Sequence, residues 1–182
     1  MIRRAFLAGL ASLTALAPAL AQTANKAPAT DPQNTLYLDT KDGRIVIKLR
    51  PDLAPKHAQQ LKTLAKQGFY NNVVFHRVID GFMAQTGDPT GTGMGGSGQK
   101  LKQEFNDAPH ERGTCSMARA QNPDSADSQF FICFDDDGFL DRQYTVWGQV
   151  VEGMDNVDKI KRGEPVKDPD QIVKAYMAIN PR

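Results

Sequence analysis

Several groups of side chains in this sequence could do chemistry, and each implies a different reaction. Gly91, Gly93 and Gly96 close the stretch FHRVIDGFMAQTGDPTGTGMGG (residues 75–96) and satisfy G-x-G-x-x-G. Such a run cradles a pyrophosphate only when a strand enters it and a helix leaves it, N-terminus toward the ligand. Here SGQKLKQEFND follows without an apolar stripe, and no alternation of strands and helices surrounds it. The run therefore reads as a tight, irregular surface loop, where glycine accepts positive φ at no steric cost.

The other candidates are weaker still. His57, His76 and His110 are the only histidines, and no histidine or cysteine pair has metal-ligand spacing. His57 is expected on a helix surface and His110 in a loop. Asp135 to Gly138 (DDDG) lacks the alternating spacing of a calcium loop. Cys115 and Cys133 sit in the apolar runs TCSMA and FFICF, which suits buried small hydrophobes better than nucleophiles or a disulfide. The carboxylates of NDAPHE read as a solvated loop. What remains is Arg77, flanked by Phe75, Val78 and Ile79, with Phe82, Met83 and Gln85 close behind. From spacing alone it reads as a strand-edge arginine whose stem lies over apolar surface.

These residues need elements to position them. TLYLDTKDGRIVIKL gives two alternating runs around Asp42-Gly43, a hairpin signal. DLAPKHAQQLKTLAKQG predicts a helix with Asp52 as cap, Pro55 in its first turn and Gly68 as its stop. Ala54, Ala58, Leu61 and Ala65 form its apolar stripe. NVVFHRVI, FMAQTG, GTCSMARA, SQFFICF, YTVWGQVV and DQIVKAYMAI predict further strands, and GMDNVDKIKRG a second helix with Val157 and Ile160 inward. Many short strands with two isolated helices predict a mainly β, antiparallel sandwich or barrel.

Upstream, MIRR, the apolar run AFLAGLASLTAL and the small-residue end APALAQ predict a cleavable signal over residues 1–21, cut after Ala21. That run is too short to span a bilayer, which takes roughly 20 apolar residues. Residues 22–33 read as a flexible mature N-terminus and residues 34–182 as one domain. Without Arg3 and Arg4, the 22 basic and 21 acidic residues become 20 and 21. So near-neutral a chain has no electrostatic footprint for nucleic acid and none for stable association with an anionic membrane.

Taken together, FHRVIDGFMAQTGDPTGTGMGG, CSMARA, SQFFIC and FLDRQYTVWGQVVEGMD resemble the cyclophilin family of peptidyl-prolyl cis-trans isomerases, from about Thr35 to Ile179. The resemblance implies a closed antiparallel barrel of eight strands capped by two helices, activity without metal or cofactor, and a monomer. Its substrates would be proline-containing polypeptides, in a periplasmic or secreted setting given the leader. Carried over by position, Arg77 would be the catalytic arginine, and Phe82, Met83, Phe131 and Leu140 the proline pocket. Gln85 and Gln129 would brace the site, Phe139 and Tyr144 would form its rim, and Ala118 and Arg119 would offer backbone groups. His76 follows the pattern as a structural residue. Three positions depart from it: Tyr144 stands for a common histidine, Phe139 for a tryptophan and Arg119 for an asparagine. Without an indole N–H at Phe139, only weak cyclosporin binding is expected. The alternative from another class is a chaperone that binds proline segments without turning them over.

Overall fold

The computed structural model describes residues 31–179. The leader expected at residues 1–21 lies outside them.

Alternation of apolar and polar residues builds the sheet. In β1 (Thr35–Thr40) and β2 (Gly43–Leu49), Leu36, Leu38, Ile45, Ile47 and Leu49 are buried, and the predicted hairpin joins them with Thr40 opposite Gly43. β3 (Val73–Val74), β4 (Arg77–Ile79), β5 (Met83–Thr86), β6 (Thr114–Met117), β7 (Phe130–Cys133), β8 (Val146–Glu152), β9 (Gln171–Ile172) and β10 (Lys174–Met177) follow. Eight strands form one antiparallel sheet in the order β10-β1-β2-β8-β6-β7-β5-β4, and β3 pairs with β9 alone.

The sheet is a half-barrel, not the closed barrel expected from the resemblance: no ladder joins its edges, β10 and β4. Two runs predicted as single strands explain this. NVVFHRVI breaks at Phe75-His76 into β3 and β4, and DQIVKAYMAI breaks at Val173 into β9 and β10. The short strands next to the open edges thus bond to each other rather than completing the ladder.

Helix α1 (Pro55–Lys66) packs on β8 and β10, burying Ala58, Leu61, Leu64 and Ala65. Its N-terminus differs from expectation. Ala54 is the N-cap and Asp52 instead forks onto Arg50. The cap comes from far away: the Glu104 carboxylate accepts from the backbone N–H groups of Lys56 and His57, both at 3.1 Å to Oε2. The same oxygen lies 2.7 Å from His57 Nδ1, and His57 is wholly buried rather than on the helix surface. The second predicted helix shrinks to one turn, α2 (Met154–Val157), although Val157 and Ile160 do point inward.

The main core holds Trp147 and Phe130, packed edge-on with ring centroids 5.3 Å apart, and Tyr70 meets Phe130 in the same way. A second, smaller apolar cluster of Met83, Phe131, Cys133 and Leu140 lies apart from it. Cys115 belongs to the first and Cys133 to the second, so the two thiols are buried and free.

Candidate active site

The second cluster follows from the two-residue period of the strands. On β7, Phe130 and Ile132 enter the main core, while Phe131 and Cys133 join the smaller cluster. On β4 and β5, Val78 and Ala84 go inward, which leaves Arg77, Ile79, Met83 and Gln85 for the opposite face. Register then aligns them: Arg77 opposes Gln85, Gln85 opposes Phe131, and Phe131 opposes Ser116. One row of side chains therefore crosses β4, β5, β7 and β6.

Above that row is an open hollow of about 110 Å³ lined by Arg77, Phe82, Met83, Gln85, Ala118, Arg119, Phe131, Leu140 and Tyr144. These are nine of the eleven residues expected at the site. Phe139 stands at its edge, 65% exposed, with its ring 5.5 Å from that of Phe82. Gln129 lines an adjoining depression of about 340 Å³, beside Gly93, Met94 and Gly95 of the glycine loop. Gln85, Ala118 and Arg119 line both hollows.

A chain of polar groups holds the arginine. Arg77 Nε donates to Glu164 Oε1, Arg77 Nη1 donates to Gln85 Oε1 at 3.4 Å, and Gln85 Nε2 donates to Gln129 Oε1 at 2.9 Å. Gln129 Nε2 in turn donates to the carbonyls of Gly93 (2.9 Å) and Gly95 (2.8 Å). The glycine loop thus lies beside the hollow and anchors the far end of this chain. Glu164 is absent from the expected site, because it arrives from a loop 87 residues away in sequence.

The loop itself is wound about one carboxylate. Asp88 accepts from the backbone N–H groups of Thr90, Thr92, Gly93 and Gly95 and from the Thr90 hydroxyl. A Cβ at Gly95 would collide with that carboxylate, so glycine is required there. Burial pushes the Asp88 pKa up, but the Thr90, Gly95 and Gly93 hydrogen bonds outweigh it and hold the group at about 2.

Ala118 and Arg119 are both tied into the protein by hydrogen bonds of their own. The Ala118 N–H is occupied, donating to the Gln129 carbonyl at 3.0 Å, so Ala118 has only its carbonyl to offer. The Arg119 side chain is part of the wall of the hollow. Its guanidinium donates to the carbonyls of Gln143, Ala120 and Gln121 and lies 4.6 Å over the Tyr144 ring. His110 is in a loop as expected, but fully buried.

Acid should unfold this domain for a definable reason. Burial lowers the pKa of His57, His76 and His110 below the usual 6.5, against opposing pulls from Glu104, Asp88 and Asp141. Burial would raise Glu104, but bonds from the His57 ring and from the His57 and Lys56 backbone bring it below 4.5. A lowered folded-state pKa gives stability that is complete above the unfolded pKa and is lost as pH falls through the folded one. The histidine share is lost below 6.5, the Glu104 share below 4.5, and the Asp88 share between 3.8 and about 2. Asp137, raised by burial, runs the other way but is a single group. The melting temperature is therefore expected to fall steadily from pH 7 to pH 3 by calorimetry, and a flat profile would contradict this.

Among the described residues, no cluster of three or more His, Cys, Asp or Glu could hold a metal. A family model for cyclophilin type peptidyl-prolyl cis-trans isomerases matches residues 35–178. A probable peptidyl-prolyl cis-trans isomerase of Brucella suis is 53% identical over 182 residues, covering 91% of each chain. A Helicobacter pylori peptidyl-prolyl cis-trans isomerase is 46% identical over 134 residues, 71% of this chain and 82% of its own. Among solved structures, the cyclophilin AquaCyp293 from Hirschia baltica matches with a TM-score of 0.78 at 30% identity, over 84% of this chain and 77% of that one. A Cryptosporidium parvum cyclophilin type isomerase, crystallised in the presence of the dipeptide Ala-Pro, gives 0.73 at 29%, over 79% and 98%. The fold, the row of side chains and these matches agree: the chain belongs to the cyclophilin-type peptidyl-prolyl cis-trans isomerases.

Proposed function

We propose that the hollow beside Arg77 binds the proline ring of an X–Pro segment and that Arg77 is its catalytic residue. The observation that carries this reading is the cationic fork at the wall of an open hollow that Phe82, Met83, Phe131 and Leu140 also line. The X–Pro amide isomerises in tens of seconds or longer against a barrier near 20 kcal/mol, and no bond needs to break. What must be overcome is resonance. As the bond twists, the imide nitrogen becomes pyramidal and its lone pair localises. A guanidinium N–H can donate to that lone pair, and its charge is permanent, so no proton switch is needed. Glu164 takes the Nε–H and Gln85 one Nη1–H, so three of the five guanidinium N–H groups are not used by these two bonds and can serve the substrate.

Phe82, Met83, Phe131 and Leu140 hold the ring while the preceding carbonyl turns, and they keep water from the arginine. Four to five decades of acceleration take roughly 6–7 kcal/mol at about 1.4 per decade. One charge-assisted hydrogen bond contributes about 1.5–3 kcal/mol. Ring-holding and desolvation must therefore supply the rest. Gln85 and Gln129 keep the fork in plane, and Tyr144, Phe139, Ala118 and Arg119 bound the path of the chain before the proline.

The assay is cis-to-trans conversion of a prolyl tetrapeptide, and absence of turnover by the wild type would overturn the reading. Cyclosporin is expected to inhibit only weakly in the same assay, since Phe139 offers no indole N–H; nanomolar inhibition would refute that. The proposed setting is the periplasm or secretory space, where exported chains fold, with the protein acting as a monomer. A mature N-terminus at Gln22, found by sequencing the exported protein, would support it; retention of residues 1–21 in the cytoplasm would not.

A further inference from the structure

His110 has no part in that mechanism, yet both of its ring nitrogens are engaged beside the hollow. Its ring is wholly buried, with Nδ1 2.9 Å from Asp141 Oδ1 and Nε2 3.0 Å from Ser116 Oγ. Its backbone N–H donates to the same Asp141 oxygen at 2.8 Å. Serine, histidine and aspartate in this order have the spacing of a nucleophile, its base and an orienting carboxylate. Ser116 is itself 0% exposed, however, so no carbonyl can reach its hydroxyl and acyl transfer is excluded.

What the three groups do reach is the pocket, from two sides. The imidazole stacks on the Phe131 ring, centroids 6.2 Å apart and planes 19° from parallel. Ser116 opposes Phe131 in the ladder and so shares its face of the sheet. Asp141 directly follows the 3-10 turn Gly138–Leu140, which carries Phe139 and Leu140. Asp137, directly before that turn, donates its N–H to the His110 carbonyl at 2.7 Å. His110 therefore grips both ends of the rim turn and lies against the pocket floor. A neutral imidazole satisfies both ends, its Nδ1–H donating to Asp141 and its Nε2 accepting from the Ser116 hydroxyl.

We propose that His110 is a positioning residue that sets the gap between the floor at Phe131 and the rim at Phe139 and Leu140, and thereby how tightly the proline ring is held. The inference rests on the reading of the hollow as the proline site. Arg77 lies at the far end of the row, so its contribution to the twisting step is left untouched.

Two variants separate the two ends of the brace. His110→Asn can keep the bond to Asp141 but not the one to Ser116, and His110→Gln can keep the second but not the first. In the full chain, each is expected to raise KM for a prolyl tetrapeptide, and the Kd of Ala-Pro followed by NMR titration, about 10-fold, equivalent to about 1.4 kcal/mol. Their kcat should change less than about three-fold. Asp141→Ala, at a side chain 38% exposed, removes the acceptor and should raise KM in the same sense and add little to His110→Gln. Folded His110 variants with wild-type KM and Kd, or with a loss in kcat alone, would overturn the proposal. If neither variant folds, a wild-type KM for Asp141→Ala, which removes the acceptor altogether, overturns it just as well. If the wild type binds peptide without turnover, the isomerase reading fails while the Kd comparison still decides the role of His110.

Discussion

Arg77→Ala is expected to lower kcat/KM toward a prolyl tetrapeptide by about 100-fold or more, while the melting temperature stays near that of the wild type. Two decades correspond to about 2.7 kcal/mol of transition-state stabilisation, within the reach of one charge-assisted hydrogen bond in a dry site. Stability should hardly change, because the ionic partner, Glu164, is 55% exposed and Arg77 itself 37%, and exposed ion pairs contribute little. The chain Gln85–Gln129–Gly93 survives the substitution, so the loop beside the hollow keeps its anchor. Arg77→Lys should recover only part of the loss. It restores the charge, but a lysine cannot donate to Gln85, Glu164 and the imide nitrogen in one plane. Near-normal turnover by Arg77→Ala would remove this side chain from the mechanism.

Glu104→Ala is expected to be the most damaging single change to stability among those considered, at about 2–4 kcal/mol. One carboxylate caps α1 and pairs with a buried imidazole. Loss of a helix cap costs about 1 kcal/mol. Leaving a buried donor unpaired adds about 1–3 more, and His57 Nε2 already lacks a partner among the described residues. For a domain of this size the melting temperature should drop by about 5–15 °C. Glu104→Gln, which can still accept hydrogen bonds, should lose much less. Because the hydrogen bonds of Glu104 run to Lys56, His57, Thr145 and Asn106, none of which lines the hollow, kcat/KM per folded molecule should stay close to wild type at 20 °C. A melting temperature unchanged in Glu104→Ala would show that water or another side chain caps the helix equally well.

How much of this was legible beforehand depended on the range of the interaction. The strands could be read from their two-residue period, and so could the inward residues of α1, because burial imposes a local pattern. The site could be placed because its residues fall in short, recognisable runs. The brace from Glu164 to Arg77, the cap from Glu104 to α1 and the link from Asp141 to His110 left no such trace. They join positions 87, 47 and 31 residues apart, and no spacing rule connects them. His57 shows the cost of that blindness. Polarity argued for a surface position, whereas a distant carboxylate makes its burial tolerable. Asp52 is the converse: a suitable capping type that Arg50 engages instead. The open edge of the sheet was equally hidden, since nothing in the side-chain pattern marks the breaks at His76 and Val173.

The row Arg77–Gln85–Phe131–Ser116 also says what kind of change this enzyme can survive. Side chains along it can be exchanged one at a time, each with a graded effect. Chain length within β5 or β7 has no such latitude. One residue gained or lost in β7 would swing Phe131 into the space beside Trp147 and push Phe130 out toward the substrate, turning the pocket inside out in a single step. Insertions and deletions should therefore be confined to the loops, while the short strands under the hollow keep a fixed count of residues even where their letters drift.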